Sequence, residues 1–180
     1  MSAYAIGEHF LQVRHTSMVT LALSSGSGTS GSTITLDVSI TSTGGDQCSQ
    51  IQWDFVPQSG LSLLSADLGA AGIAANKSLS VAGNLCVIYG SNQDIIGDGV
   101  LVSATFSIAP WASGALTVGL SSIVASDENA DPLTSTGTGG TVTATALPTQ
   151  SGSIALVSSS IAYQAIPRSI AAFTATVGAS

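Results

Sequence analysis

The chain has 180 residues, 44% of them hydrophobic and only 7% charged, so its surface must be built mainly from Ser, Thr, Gly, Asn and Gln. Arg14, Lys77 and Arg168 are the only permanent cations against ten carboxylates, and the net charge of −7 leaves no basic patch to neutralise nucleic-acid phosphates or to settle on an anionic membrane surface. No uninterrupted apolar run approaches the roughly 18 to 20 residues of a helical membrane span.

The first residues, MSAYAIGEHFLQVRHTS, lack the positive start, apolar run and small-residue cleavage site of a secretory signal, so as written they do not address the chain for export. They are read as an N-terminal arm, 1–17. Beyond it, short apolar/polar alternations are broken by Gly, Ser, Asn and Pro turns, and helical periodicity is nearly absent. A first strand is predicted at 18–23. The clearest alternation is 32–41, where Ile34, Leu36, Val38 and Ile40 point one way and Thr33, Thr35, Asp37 and Ser39 the other, as in a half-buried antiparallel strand. In 50–55, Ile51, Trp53 and Phe55 are expected in the core and Gln50, Gln52 and Asp54 in solvent. Strands are also predicted at 61–68, 78–81, 85–89, 100–108, 115–120 and 141–147, with Val100, Val102, Ala104, Phe106 and Ile108 as an inward row. Nine strands over about 130 residues predict an all-β protein, an antiparallel β-sandwich of two packed sheets. The last residues, 148–180, carry two strand-like apolar segments around Pro167, with too much Ile, Ala, Val and Phe for a free disordered tail, and are read as an assembly arm or the start of a further strand-rich unit.

The order of VTLAL, a Gly/Ser turn, STITLDVSIT, IQWDF with GLSLLSADLG, GDGVLVSATFSI and ALTVGLSSIVASDENADPL resembles a cohesin domain, over roughly 18–147. The most specific part is the GDGVL strand together with the acidic DENADPL turn. Cohesins are nine-stranded flattened jelly rolls of bacterial surface and cellulosomal scaffolds, related in architecture to carbohydrate-binding modules. The resemblance implies a cohesin-like sandwich flanked by the arm 1–17 and the extension 148–180. In cohesins that hold dockerins, one sheet face supplies the recognition residues, and here that face includes Gln50, Gln52 and Asp54. The same three side chains are equally explained as solvated strand positions.

Candidate chemistry is sparse. His9 and His15 both lie in the N-terminal arm, and no G-x-S-x-G, H-E-x-x-H or C-x-x-C occurs, so a triad or zinc hydrolase is not expected. The carboxylates are spread along turns and outer strand positions, without positive support for a glycosidase pair. Asp127, Asn129 and Asp131 have the D-x-N-x-D spacing that begins a calcium loop, the best metal candidate, but Pro132 and Thr138 stand where that loop needs Gly and a bidentate Glu. Asp and Asn also build turns by bonding to their own backbone. Asp94 and Asp98 raise the same question more weakly, and Asn76 begins a glycosylation sequon whose meaning depends on a secreted setting. Trp111, in the APWASG turn, is expected to be exposed or to cap a sandwich end, and alone it makes a thin platform for a glycan. Cys48 and Cys86 leave two alternatives open, one disulfide across neighbouring strands or two small buried thiols.

No cofactor is expected beyond that calcium candidate, and the reading is of a non-enzymatic protein. As a structural subunit, it would use its arms to pair with copies of itself and other structural proteins, most simply in a phage virion as a head-decoration or tail-associated protein, because an export signal is lacking. The alternative is a cohesin-like or carbohydrate-binding adhesion module of an extracellular bacterial surface protein.

Overall fold

Most strands form where apolar residues alternate with Ser, Thr and Asp, in a computed structural model that describes residues 17–45 and 47–147. These hold eleven strands and one short helix: β1 Met18–Leu23, β2 Gly26–Thr29, β3 Thr33–Thr43, β4 Gln50–Pro57, β5 Leu61–Leu68, α1 Ala70–Ala74, β6 Ser78–Ala82, β7 Leu85–Tyr89, β8 Gly99–Ile108, β9 Gly114–Ser126, β10 Pro132–Thr138 and β11 Gly140–Thr145. The predicted arm up to residue 16 and the extension 148–180 lie outside the described residues.

The strands hydrogen-bond in the order β5-β8-β3-β1-β10-β9-β4-β7-β6, with β11 joined to β9 and to β2. Two layers result, one of β5, β8, β3 and β1, the other centred on β9, β4, β7 and β6. β10 passes from one to the other, since Pro132 and Leu133 pair with β9 while Thr134 to Thr138 pair with β1. Inward rows from both layers meet in one core, in which Leu36, Val38 and Ile40 of β3 and Val102, Ala104 and Phe106 of β8 are buried with Ile51, Trp53 and Phe55 of β4. Removing such side chains from water is the main force holding the layers together. Three rings link the layers edge to face, with Phe55 centred 6.0 Å from Trp53 and 5.4 Å from Phe106.

The sandwich agrees with expectation, and so do its inward rows except at the start of β8, where a bulge buries Leu101 and leaves Val100 half-buried; the strand count does not. Nine strands were expected and eleven are present among the described residues. β2 reads GSGT, which carries no hydrophobic signal. Glycine serves there because a Cβ on Gly26 would lie 2.8 Å from Ile34 Cδ1 and one on Gly28 2.6 Å from Ile108 Cδ1, so neighbouring isoleucines fill the space. β10 occupies part of the acidic stretch expected to be loop, and Leu133 packs against the core. The all-antiparallel expectation also fails at two places, because β1 pairs with β10 and β2 with β11 in parallel. Helix α1 escaped detection because AAGIA is a single turn, too short for a helical period to show.

Candidate partner-binding face

The outer row of β4 is set by the burial of its inner row. With Ile51, Trp53 and Phe55 in the core, Gln50, Gln52, Asp54 and Val56 must point outward. β7 lies along one side, with Val87 opposite Gln52 and Leu85 opposite Asp54. β6 continues the surface through Ser78 beside Tyr89 and Ser80 beside Val87. β9 lies along the other side, with Ser126 opposite Gln50 and Val124 opposite Gln52. A bulge then shifts the register, so that Asp54 faces Ser121, and Ser122 takes the left-handed conformation at φ 52°.

The resulting four-stranded face is broad and shallow, with a depression of about 140 Å³ lined by Gln50, Gln52, Val87, Val124 and Ser126. Val124 is 57% exposed at its centre, while Val56 and Tyr89 are exposed nearer its margins. Asp54 is its single charge. Such a surface offers amide and hydroxyl hydrogen bonds around apolar contacts with little charge to desolvate, a composition suited to a protein partner. His9 and His15 both fall in 1–16, so among the described residues there is no imidazole to act as a base.

Sequence reasoning found the β4 row and missed the β9 contribution, because the strand predicted at 115–120 stopped short of Ser121–Ser126. The signal was a shift of the apolar alternation by one residue, from Leu116, Val118 and Leu120 to Ile123 and Ala125, which marks a bulge and not a strand end.

The other candidates lie elsewhere. Trp111 is 69% exposed as expected, but it sits in the β8–β9 turn over Gly60, at the opposite end of β9 from the residues facing Gln50 and Gln52. The structure therefore does not bring it together with Gln50, Gln52 and Asp54. Of the two cysteine alternatives, the structure shows free, buried thiols and no disulfide. The register gives the reason: Trp53, not Cys48, stands opposite Cys86, and the stretch from Trp53 back to Gln50 alone carries the chain about 10 Å away. Burial pushes the Cys48 thiol up to about 12 and the Cys86 thiol up to about 11.

Asp127 is buried, and its Oδ1 accepts hydrogen bonds from the backbone N–H of Asn129 at 2.9 Å and of Asp131 at 2.8 Å. Asn129 and Asp131 themselves are exposed, and among the described residues no group of three acidic, histidine or cysteine side chains could hold a metal ion. The carboxylate thus closes the β9–β10 turn through these two hydrogen bonds. Asp127→Ala is expected to destabilise the domain by about 1–3 kcal/mol, because two backbone donors lose their acceptor. A chelator should leave the urea midpoint of the parent protein unchanged. Both are read from urea titrations with and without EDTA. Asp98 has a similar structural role, accepting the Ser42 N–H at 2.8 Å.

Comparison with solved structures decides the fold. The sixth cohesin of scaffoldin B from Acetivibrio cellulolyticus, solved in complex with a Cel5 dockerin, superimposes with a TM-score of 0.59 at 20% identity, covering 71% of this chain and 99% of that one. This chain has a cohesin-like fold. The cohesin-like domain also matches the non-cellulosomal cohesin from the hyperthermophilic archaeon Archaeoglobus fulgidus, with a TM-score of 0.58, 21% identity and coverage of 72% and 92%. A third match is the third cohesin ScaC of Acetivibrio cellulolyticus with a ScaB dockerin, with a TM-score of 0.61, 16% identity and coverage of 72% and 100%. No protein-family model and no curated protein matches the sequence. No helix among the described residues of the cohesin-like domain is long and apolar enough to cross a membrane.

Proposed function

We propose that this chain is a non-catalytic protein-binding module that takes its partner on the outer face of β6, β7, β4 and β9. The observation carrying this reading is the common fold with cohesins solved holding dockerins. The chemistry of the face supports it: one carboxylate, two glutamines and exposed valines on a stiff sheet can be desolvated cheaply by a helical partner. A dockerin-type module is the partner proposed, in an extracellular or cell-surface scaffold. The virion-subunit reading draws on the segments 1–17 and 148–180 and has no support among the comparisons.

Calorimetric titration against a panel of dockerin modules tests the proposal. A binding dockerin should lose at least about 30-fold in affinity with Val124→Arg, equivalent to about 2 kcal/mol at the centre of an interface. Trp111→Ala, at the far end of β9, should bind as the parent does, and Val124→Arg should change stability by no more than about 0.5 kcal/mol. Binding that is indifferent to Val124→Arg moves the partner off this face, and failure of the whole panel removes dockerins as its partner class.

A further inference from the structure

Lys77 is the only lysine in the chain, and it is 6% exposed at the start of β6. Its Nζ donates to Asn92 Oδ1 at 2.8 Å, Ser49 Oγ at 3.1 Å and the Asn92 carbonyl at 3.3 Å. All three acceptors are uncharged, so the ammonium is withdrawn from water without a contacting anion, an arrangement that is unfavourable in general. Asn92 lies in the loop between β7 and β8, and its amide is fixed at both ends. While Oδ1 faces Lys77, Nδ2 donates to Asp94 Oδ2 at 2.8 Å and to the Ala75 carbonyl at 3.1 Å. Gly90 makes room for the encounter, since a Cβ there would come within 2.9 Å of Asn92 Oδ1 and 3.0 Å of Lys77 Cδ.

A primary amine, a carboxamide and a carboxylate on the departing nitrogen are the components of an amide exchange. We propose that Lys77 and Asn92 form an intramolecular isopeptide bond, with Asp94 as the proton-transferring carboxylate. Nζ, deprotonated, attacks Cγ of Asn92, the Cγ–Nδ2 bond breaks, and one Nζ proton reaches Nδ2 through Asp94. Ammonia leaves to solvent, which the half-exposed Asn92 adjoins, and no oxidant, metal or cofactor enters the balance. Two features favour the step. Burial lowers the Lys77 pKa, although Asp94 opposes the shift, so the neutral amine is more accessible than on a free lysine. Holding the groups in contact also replaces a bimolecular encounter by a positioned one. The product carries neither the buried charge nor the surplus donors, and it ties the edge strand β6 to the loop before β8.

The test is the intact mass of the purified full-length chain. The parent should weigh one ammonia less than its sequence, a deficit of about 17 Da. Trypsin should fail to cut the denatured protein after Lys77, and chymotrypsin, which cuts between the two residues, should release a branched peptide joining Lys77 to Asn92. Lys77→Arg, Asn92→Ala and Asp94→Ala should each restore the full sequence mass. A parent at full mass, with normal cleavage after Lys77 even following incubation at alkaline pH, overturns the proposal. A deficit that persists in Lys77→Arg also overturns it, and one that persists in Asp94→Ala removes the part assigned to that carboxylate.

Discussion

Stability is expected to fall steeply above pH 9, because the folded core holds Cys48 and Cys86 as neutral thiols. Both are fully buried, and desolvation pushes them to about 12 and about 11 from an ordinary value of 9.0. Below pH 9.0 both states carry the proton and the contribution is fully present. Between there and the folded values the unfolded chain releases protons that the native state keeps, so the native form binds more protons and stability declines with pH. The slope is about 1.4 kcal/mol per pH unit for each thiol, and two units of alkalinity would remove about 5 kcal/mol, a large share of the stability of an ordinary domain. Lys77, if left as a free amine, works in the opposite direction. Its pKa is lowered by burial, so stability rises with pH between its folded value and 10.5, offsetting part of the loss. Urea titrations at pH 7, 9, 10 and 11 read the balance. Cys86→Ala should flatten the alkaline slope by about half, and a midpoint independent of pH in the parent would show that the thiols are not shielded.

The largest single-residue effect in the core is expected at Phe55. Its ring is the middle member of the Trp53–Phe55–Phe106 chain, so truncation removes the edge-to-face contact between the layers along with the ring's own burial. Phe55→Ala should cost about 3–5 kcal/mol, and Phe55→Leu distinctly less because it refills most of the volume. Both values come from urea unfolding at pH 7. Equal costs for the two substitutions would mean that ring geometry, and not the cavity, sets the energy.

Legibility in the sequence followed the strength of local patterns. Wherever apolar side chains alternate without interruption, as in Ile34 to Ile40 and Ile51 to Phe55, both strand and inward face could be read directly. β2 escaped because its glycines leave the packing to Ile34 and Ile108, side chains belonging to other strands. The parallel pairing of β1 with β10 escaped for a different reason. Partners more than a hundred residues apart leave no periodic trace in either segment. The β4 half of the candidate face was legible, whereas the β9 half was hidden by a one-residue bulge. Lys77 resisted reading most completely. In a sequence it is one charged residue in the middle of a sequon, and only the fold reveals that Ser49 and Asn92 surround it.

The two parallel pairings have a mechanical consequence. β1 continues into β2 across Ser24 and Ser25, and β10 continues into β11 across Gly139, with the Thr141 N–H bonded to Ser25 Oγ where the crossings meet. Two long composite strands therefore run side by side in the same direction, from Met18 beside Thr134 to Thr29 beside Thr145. A tension applied between residues 18 and 145 draws these strands past each other along their length. Their hydrogen bonds are loaded together in shear and cannot be peeled one at a time, the geometry that best resists such a pull.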